Sequence, residues 1–455
     1  MRRCVAIVLA LTTLSACQTV DTESATQSTP AVAAHAASVE VRPDGDAFRA
    51  RMTFPDDARV WAFHRSAVRR EDRKPWRPDS WTVLTPGVEL VRIGEYDALV
   101  ASDGGAVPRN VEIAFAPAAV DLVADYDPAL VFTDGTVALF SGVFSVFPAE
   151  SQTALEASDA NFESPATEVA MVNPGSSVFH QGRYVERAQF EEDGYGIYGD
   201  VTVDPATPVA RIFDPALPAW LGDSLDQTTP RVFAFYEKEL GDHGGAKPLV
   251  IASYAESEMQ GVSQGGSVLP GLITMSFEGA GLDSPNEAVL VNTTWFIAHE
   301  AAHFWLGQAL SYDSRDRAWI TEGGADLMAM RVAEAFNPSF PAEQFVDDAR
   351  KECAAALRES GIEAARLRNE QRPYYACGSL FALAVEQAGA SRGEDYFDFV
   401  RQLIADQDDG KVDGEEWLQA AASFGVSPDR VALMRRLLAG PSDDPESDLE
   451  RLLNG

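Results

Sequence analysis

The stretch FIAHEAAHFWLG, residues 296–307, carries two histidines and a glutamate inside an otherwise apolar run of helical period. The chain of 455 residues contains only 6 histidines, so a pair in one short run stands out. His299 and His303 are one helical turn apart, which lets both imidazoles reach a single metal ion. In this HExxH pattern Glu300 is the candidate general base. The pattern predicts a helix over residues 291–310. The alternative to a metal site is a pair of partly buried, hydrogen-bonded histidines on this amphipathic helix.

A zinc site that performs catalysis needs a third protein ligand and one open position. Glu322, in WITEGGADLMA at residues 319–329, follows His303 after eighteen residues and lies at the start of the next predicted helix. Asp326 lies one turn further on the same face, where it can accept a hydrogen bond from a ligand histidine and fix its tautomer. Alternatively, Glu322 only complements the positive end of the helix dipole, with Thr321 as the N-cap.

The composition and the texture of the chain predict its architecture. A hydrophobic fraction of 46% is enough for buried cores, and the length favours two or three domains. Short β-type runs recur over residues 38–225, and helix-period segments with a few strands follow over residues 226–455. We therefore predict a multi-domain α+β protein, in which an N-terminal antiparallel β-rich domain precedes a mixed, mainly helical domain. The net charge of −34 repels phosphates, so we expect no nucleic-acid partner.

The N-terminus has the pattern of a bacterial lipoprotein signal. Two arginines precede an apolar run at residues 5–14, and Leu-Ser-Ala-Cys follows it and ends at Cys17. Residues 1–17 are predicted to be the signal peptide and lipobox, with a lipidated Cys17 as the mature N-terminus, and residues 18–37 a flexible tether. We expect a lipid anchor in the cell envelope, on the outer membrane and facing the periplasm or the surface. The alternative is an ordinary secretory signal in which Cys17 is incidental.

Export to an oxidising compartment bears on the 4 cysteines of the chain. Cys4 leaves with the signal peptide and Cys17 carries the lipid, so Cys353 and Cys377 remain as a pair. We expect these two residues to form a disulfide. Two buried free thiols are the alternative.

Four sequence elements, taken in order, resemble the aminopeptidase N family of gluzincin zinc metallopeptidases. HExxH is followed after eighteen residues by the glutamate of W-x-x-E-G. Upstream, GLIT at residues 271–274 is similar to the end of the family's Trp-Gly-Leu-Ile-Thr strand. Downstream, Tyr375 opens YACG, which resembles the family's Tyr-x-Lys-Gly box with its catalytic tyrosine, although a cysteine replaces the lysine. Tyr374 is the rival for this position, and simple packing of both rings is a further alternative.

The resemblance covers about residues 231–387 and implies a thermolysin-like catalytic domain with one Zn²⁺ per chain on His299, His303 and Glu322. It implies that Glu300 transfers a proton from water to the leaving amine. It also implies that the Tyr375 hydroxyl donates a hydrogen bond to the oxyanion of the reacting carbonyl. The implied substrate strand comprises Gly271, Leu272, Ile273 and Thr274.

Two departures from the family concern the substrate. The Gly-Ala-Met-Glu-Asn box is absent, and its glutamate, which captures the free α-amine of the substrate, falls at Val268. About 80 residues follow Tyr375, which leaves no room for the large helical C-terminal domain of many members. We therefore expect a metallopeptidase that cuts internal bonds of peptides or proteins in the cell envelope. The alternatives are an aminopeptidase with another amine anchor and a non-catalytic, zinc-stabilised scaffold lipoprotein. The sequence gives no signal for the oligomeric state.

Overall fold

The computed structural model describes residues 36–454 apart from residues 124, 158–166, 205, 257–258, 313, 315–316, 369 and 408–409. The predicted signal peptide with Cys17, and all but the last two residues of the predicted tether, lie outside the described residues. Within the described part of the chain, no helix combines the length and the apolar character needed to cross a membrane.

Residues 36–209, here called the β part, form three sheets. The strands are β1 (Ser38–Asp44), β2 (Ala47–Thr53), β3 (Val60–Phe63), β4 (Trp81–Val83), β5 (Val88–Ile93), β6 (Tyr96–Ala101), β7 (Asn110–Phe115), β8 (Ala129–Val131), β9 (Val137–Phe140), β10 (Val146–Ala149), β11 (Glu168–Val172), β12 (Val178–His180), β13 (Arg183–Val185), β14 (Arg187–Phe190) and β15 (Tyr195–Tyr198). Two short helices, α1 (Arg77–Ser80) and α2 (Gln152–Glu156), and a 3₁₀ turn at Ser141–Phe144 connect them. The sheet orders are β14-β11-β1-β2-β7-β4, β10-β3-β6-β5 and β13-β12-β15-β9-β8.

The pairing in the β part is antiparallel except between β1 and β11, which run parallel. Along β1, β2 and β7, apolar residues alternate with polar ones and point to one face of the sheet. Val39 and Val41 of β1 and Ala50 and Met52 of β2 are almost completely buried, whereas the residues between them reach the surface. The predicted antiparallel β-rich N-terminal region is confirmed.

Residues 210–454, here called the helical part, contain one mixed sheet and most of the helices. The strands are β16 (Ala210–Phe213), β17 (Leu249–Ala255), β18 (Ser263–Leu269), β19 (Leu272–Glu278), β20 (Ser311–Tyr312) and β21 (Lys411–Val412). The helices are α3 (Ala219–Leu240), α4 (Glu287–Ala302), α5 (Trp319–Phe336), α6 (Ala342–Leu357), α7 (Arg372–Gly389), α8 (Tyr396–Asp406), α9 (Gly414–Ser423), α10 (Pro428–Ala439) and α11 (Pro445–Asn454). Among the described residues of this part, 3₁₀ turns lie at Ala280–Leu282, Ile362–Arg368 and Ala390–Arg392.

The mixed sheet has the order β16-β17-β19-β18 and separates the two parts of the molecule. Along β17, Val250 and Ala252 pack into the core of the helical part, while Ile251 between them packs into the core of the β part. Both faces of this sheet are therefore buried, which explains the largely apolar runs of β17 and β19. The predicted boundary at residue 225 falls inside α3, and β16 already pairs with β17, so the structural change comes before residue 210.

The predicted cysteine pair lies at the contact between α6 and α7. Cys353 and Cys377 are completely buried, and their sulfur atoms are 2.06 Å apart in a disulfide. Glu352, the residue before Cys353 on α6, forms an ion pair of 2.6 Å with Arg372 in the first turn of α7. A covalent bond and an ion pair therefore hold the start of α7 against α6.

Candidate metal centre

Helix α4 carries the two histidines of the HExxH motif. Asn286 caps its N-terminus, because the side-chain oxygen accepts hydrogen bonds from the backbone N–H groups of Ala288 and Val289 at 3.0 and 3.4 Å. The C-terminal half of the helix is buried on all sides, and it ends at Ala302 with His303 as the C-cap residue. His299 and His303 both have 0% of their surface exposed. Their burial means that each imidazole nitrogen must find a partner inside the protein.

Three side-chain atoms converge at one point beside α4. The Nε2 atoms of His299 and His303 are 3.2 Å apart, and the Glu322 Oε2 atom from α5 lies 3.5 and 3.4 Å from them. Ligand bonds of about 2.0–2.2 Å at tetrahedral angles place two zinc ligands about 3.3–3.6 Å apart. The three atoms therefore have the mutual spacing that a tetrahedral zinc ion requires.

The outer nitrogens of the two imidazoles fix their tautomers. His299 Nδ1 lies 2.9 Å from Asp326 Oδ1, and His303 Nδ1 donates to the carbonyl oxygen of Leu306 at 2.9 Å. A proton on each Nδ1 leaves a lone pair on each Nε2, directed at the point of convergence. The Glu322 Oε2 atom is buried there without a hydrogen-bond donor in the described structure. Three electron-pair donors thus face one another, and the residues present fit a bound cation.

The pKa values of His299 and Glu322 indicate which proton a bound cation would displace. Burial alone would lower the pKa of His299, but the nearby carboxylates of Asp326, Glu322 and Glu300 raise it to about 10. Burial opposes ionisation of Glu322, yet the two histidines lower its pKa to about 2. Without a metal, the cluster therefore holds a proton on a histidine beside an ionised Glu322. A zinc ion would take the place of that proton.

Glu300 and Tyr375 border the three converging atoms. Glu300 is completely buried and follows His299 directly on α4. The ring of Tyr375, on α7, stacks on His299 with 5.6 Å between ring centroids and an interplanar angle of 20°. Tyr374 is 1% exposed and packs in the core of the helical part. The ring of Tyr375 thus lies beside the cluster.

Two glycines allow α5 and α7 to approach closely next to the cluster. Gly323 follows Glu322, and a Cβ atom added to it would lie 2.2 Å from the backbone carbon of Gly378. A Cβ atom added to Gly378 would lie 2.3 Å from the carbonyl oxygen of Trp319. Because real Cβ atoms do not approach backbone so closely, any larger residue would force the helices apart. The glycines therefore allow the close approach of α5, which carries Glu322, and α7, which carries Tyr375.

The predicted substrate strand does not have a free edge. Leu272, Ile273 and Thr274 belong to β19, which pairs with β17 on one side and with β18 on the other along its whole length. Gly271 lies in the turn before it, where its carbonyl oxygen accepts from Leu249 N–H. The backbone groups of this segment are thus used inside the sheet. The two edges of the sheet are β16 and β18, and β18 packs on α4, so an extended substrate near the cluster would have to pair with β18.

The edge strand β18 contacts both the β part and α4. Val268, at the position of the family's amine-binding glutamate, is 2% exposed and packs in the core of the helical part. Its carbonyl oxygen accepts a hydrogen bond of 3.0 Å from the Tyr126 hydroxyl of the β part. Gly266 packs on Phe296 of α4, where an added Cβ atom would lie 2.8 Å from the ring. The β part therefore reaches the edge of the sheet close to the metal-ligand helix.

Sequence patterns did not predict three further neighbours of the cluster. The Leu306 carbonyl oxygen is a backbone group and leaves no trace in the sequence. The Arg372 guanidinium lies over the Tyr375 ring at 5.6 Å. Their spacing of three residues on one helix could have predicted this contact. Trp295, one turn before His299, has its ring centroid 5.6 Å from that of the histidine.

Comparisons with known proteins support the fold. No family model matches the sequence, and no curated protein matches it. The structure is similar to the crystal structure of an aminopeptidase N family protein from Idiomarina loihiensis, with a TM-score of 0.50 and 10% sequence identity. The match covers 81% of this chain and 70% of that chain. The chain therefore has a fold similar to that of the aminopeptidase N family, with β sheets followed by a helical region.

Proposed function

We propose that this protein is a zinc-dependent peptidase whose ion is held by His299, His303 and Glu322. The observation that carries the proposal is the convergence of three buried lone-pair donors at zinc-ligand spacing. The similarity to an aminopeptidase N family structure supports it. A zinc ion bound there would supply Lewis-acid chemistry at the peptide carbonyl and at a water molecule.

The residues of the chain would perform the remaining steps. Glu300 lies beside the ligand pair and would take a proton from water and deliver it to the leaving amine. The Tyr375 hydroxyl would donate a hydrogen bond to the carbonyl oxygen as negative charge develops on it. Asp326 and the Leu306 carbonyl hold the two imidazoles in the tautomer that directs Nε2 at the site.

We infer that internal peptide bonds are the preferred substrates. A buried valine at position 268 cannot form an ion pair with a substrate ammonium group. Without that anchor, binding relies on backbone hydrogen bonds along the edge of β18, which do not require a free N-terminus. We further propose that the protein acts on peptides or proteins of the cell envelope, to which lipid on Cys17 would anchor it.

The contact between Tyr126 and Val268 favours a second candidate, an aminopeptidase with a different amine anchor. The Tyr126 hydroxyl occupies an acceptor at the edge of β18 and limits how far an extended chain can pair along this strand. A substrate that ends at this point would fit better than one that continues. The two candidates differ in whether they cleave peptides whose N-terminus is blocked.

The experiment uses the mature chain without Cys17 and its Glu300→Gln variant. Both are incubated with matched peptide libraries that have free or acetylated N-termini, and mass spectrometry locates the cuts. Internal cuts in both libraries by the unmutated protein alone support the leading proposal. Removal of single residues from free N-termini alone supports the aminopeptidase. Zinc without cleavage of either library, in both proteins, would reject both candidates in favour of a zinc-stabilised scaffold.

A further inference from the structure

A cavity of about 320 Å³ lies between α5 and α6. Three apolar residues line it, Met330, Ala342 and Val346, together with five charged residues, Arg331, Glu334, Glu343, Asp347 and Arg350. A cavity that combines apolar and charged groups can hold a ligand that carries both. None of these residues belongs to the metal cluster described above.

The cavity lies along the same helix stripe as the candidate metal ligand. Glu322, Asp326 and Met330 follow one another at intervals of four residues on α5, so they occupy successive turns of one stripe. With a rise of about 1.5 Å per residue, Met330 lies about 12 Å from Glu322 along the helix axis. An extended peptide covers this distance in about three to four residues.

A second connection runs through aromatic rings. Trp295 contacts His299 on one side, and on the other side its ring centroid is 5.6 Å from that of Phe345. Phe345 precedes Val346, which lines the cavity. The metal cluster and the cavity are thus joined by the stripe on α5 and by two rings, at the distance of a few substrate residues.

The two arginines of the cavity differ in their partners. Arg331 is neutralised within the protein, because Glu386 accepts hydrogen bonds from its Nε at 3.0 and 3.2 Å and Glu334 is a further ion-pair partner. Arg350 forms no hydrogen bond or ion pair with any described residue, and its Nε atom is buried. The acids of the chain outnumber the bases by 70 to 36, so an arginine left without a carboxylate is notable.

We propose that this cavity is a substrate subsite in which Arg350 binds a carboxylate of the peptide, three to four residues from the bond that is cut. The proposal rests on the proposed peptidase function. A guanidinium group offers two parallel N–H donors that match the two oxygens of a carboxylate. The carboxylate comes either from the C-terminus of a short peptide or from an aspartate or glutamate side chain. The exposed Glu343 and Asp347 at the rim disfavour other binding positions for an anion.

The test uses a set of fluorescein-labelled peptides built on the best-cleaved library sequence. One pair differs only in a free or an amidated C-terminus, and the other pair has glutamate or glutamine three or four residues from the cut. We expect Arg350→Gln to lower kcat/KM at least about tenfold for the peptides with a carboxylate and to leave the neutral peptides unchanged. The pair that responds identifies the source of the carboxylate.

Lys351→Gln is the matched control, since it removes a positive charge from the next position of α6. Its side chain is 74% exposed and paired with Asp348 at 2.8 Å, outside the cavity. An equal loss for both arginine and lysine variants, or an equal loss for charged and neutral peptides, would overturn the proposal. So would a preference of the unmutated protein for cationic peptides.

Binding measurements separate this proposal from the proposed function. In the Glu300→Gln background, fluorescence polarisation with fluorescein-labelled Ala-Ser octapeptides of the same two pairs reports affinity without cleavage. If the unmutated protein cleaves no peptide, the proposed function fails. The subsite is then retained only if Arg350→Gln weakens binding of the carboxylate-bearing octapeptides at least about tenfold, and it is rejected otherwise.

Discussion

The β part and the helical part both bury charged side chains, but they arrange them in opposite ways. In the β part, Arg77 and Asp97 are completely buried, and the arginine Nη1 donates to the aspartate Oδ2 at 2.6 Å. Arg92 donates to the other carboxylate oxygen at 3.1 Å. In this network, positively charged donors meet negatively charged acceptors. It needs no component from outside the chain.

In the helical part, acceptors face acceptors. The Nε2 atoms of His299 and His303 and the Oε2 atom of Glu322 converge, while the histidine donors are turned outward to Asp326 and to the carbonyl oxygen of Leu306. Such an arrangement is unfavourable in a buried site unless a cation or a proton lies between the lone pairs. The direction of the lone pairs, rather than the burial of charge, therefore separates a ligand site from a structural ion pair.

The largest expected effect follows from removing the general base. Glu300→Gln keeps the shape of the side chain but cannot take a proton, so peptide cleavage is expected to fall by about 10²–10⁴-fold. Because Glu300 does not supply any of the three converging atoms, zinc content and melting temperature are expected to remain unchanged. Stopped assays with a quenched-fluorescence peptide measure the rate. Unchanged activity would remove Glu300 from the mechanism.

Breaking the paired network of the β part should act on stability alone. Arg77→Ala leaves Asp97 as a buried charge that has lost its main partner, and we expect a loss of about 3–5 kcal/mol in the free energy of unfolding. Zinc content per folded chain should not change. Urea unfolding measures the free energy, with Arg49→Ala as the control, because that exposed pair with Asp44 contributes at most about 1 kcal/mol. Loss of metal from the folded Arg77 variant would contradict the separation of the two regions.

The close approach of α5 and α7 offers a test of how precisely the metal cluster is built. Gly378→Ala would place a Cβ atom 2.3 Å from the carbonyl oxygen of Trp319 and move Tyr375 away from Glu322. We expect a loss of about 1–3 kcal/mol in stability from overpacking and at least a tenfold loss in kcat. Gly222→Ala on α3 is the control, since the nearest atom to its added Cβ is 3.9 Å away. Equal behaviour of the two variants would show that the glycine contact does not position the tyrosine.

The smallest expected effect concerns the carboxyl group of Asp127 in the β part. Burial, together with the charge of Asp121, raises the pKa of Asp127 from 3.8 to about 7. A raised pKa means that the folded state holds the proton more tightly than the unfolded state. The stabilisation that this proton provides is complete below about pH 4 and is lost as the pH rises to about 7.

This sign predicts a difference between the protein and its Asp127→Asn variant. Over the interval from pH 4 to 7, the free energy of unfolding of the unmutated protein should fall relative to that of the variant, by on the order of 1–3 kcal/mol. Urea unfolding at several pH values measures both. Parallel pH profiles would mean that the Asp127 carboxyl is paired or solvated after all.

Much of the metal cluster could be predicted from the sequence because its spacing follows from helix geometry. Two histidines at i and i+4 must share a helix face, and Asp326 at one turn from Glu322 must share the face of its ligand. The structure brings these residues together as that argument expects. The predicted helix over residues 291–310 was too long, however, because α4 ends at Ala302. The early end lets the chain turn so that the Leu306 carbonyl reaches His303.

The features that the sequence did not reveal depend on long-range pairing. A run such as LITMSF reads as a strand from its own residues, but only the neighbours on both sides decide whether its edge is free. The same holds for the hydrogen bond between Tyr126 and Val268, which joins residues 142 positions apart. Local periodicity carries no information about such contacts.

The most direct test of the account is the metal content of the purified chain and of its Glu322→Ala variant. Mass spectrometry with inductively coupled plasma counts the zinc, and circular dichroism checks that both proteins are folded. We predict one zinc ion per chain in the unmutated protein and in Glu300→Gln, and almost none in Glu322→Ala. A folded unmutated protein that binds no zinc when zinc is supplied, or a Glu322→Ala variant that retains it, would contradict the account.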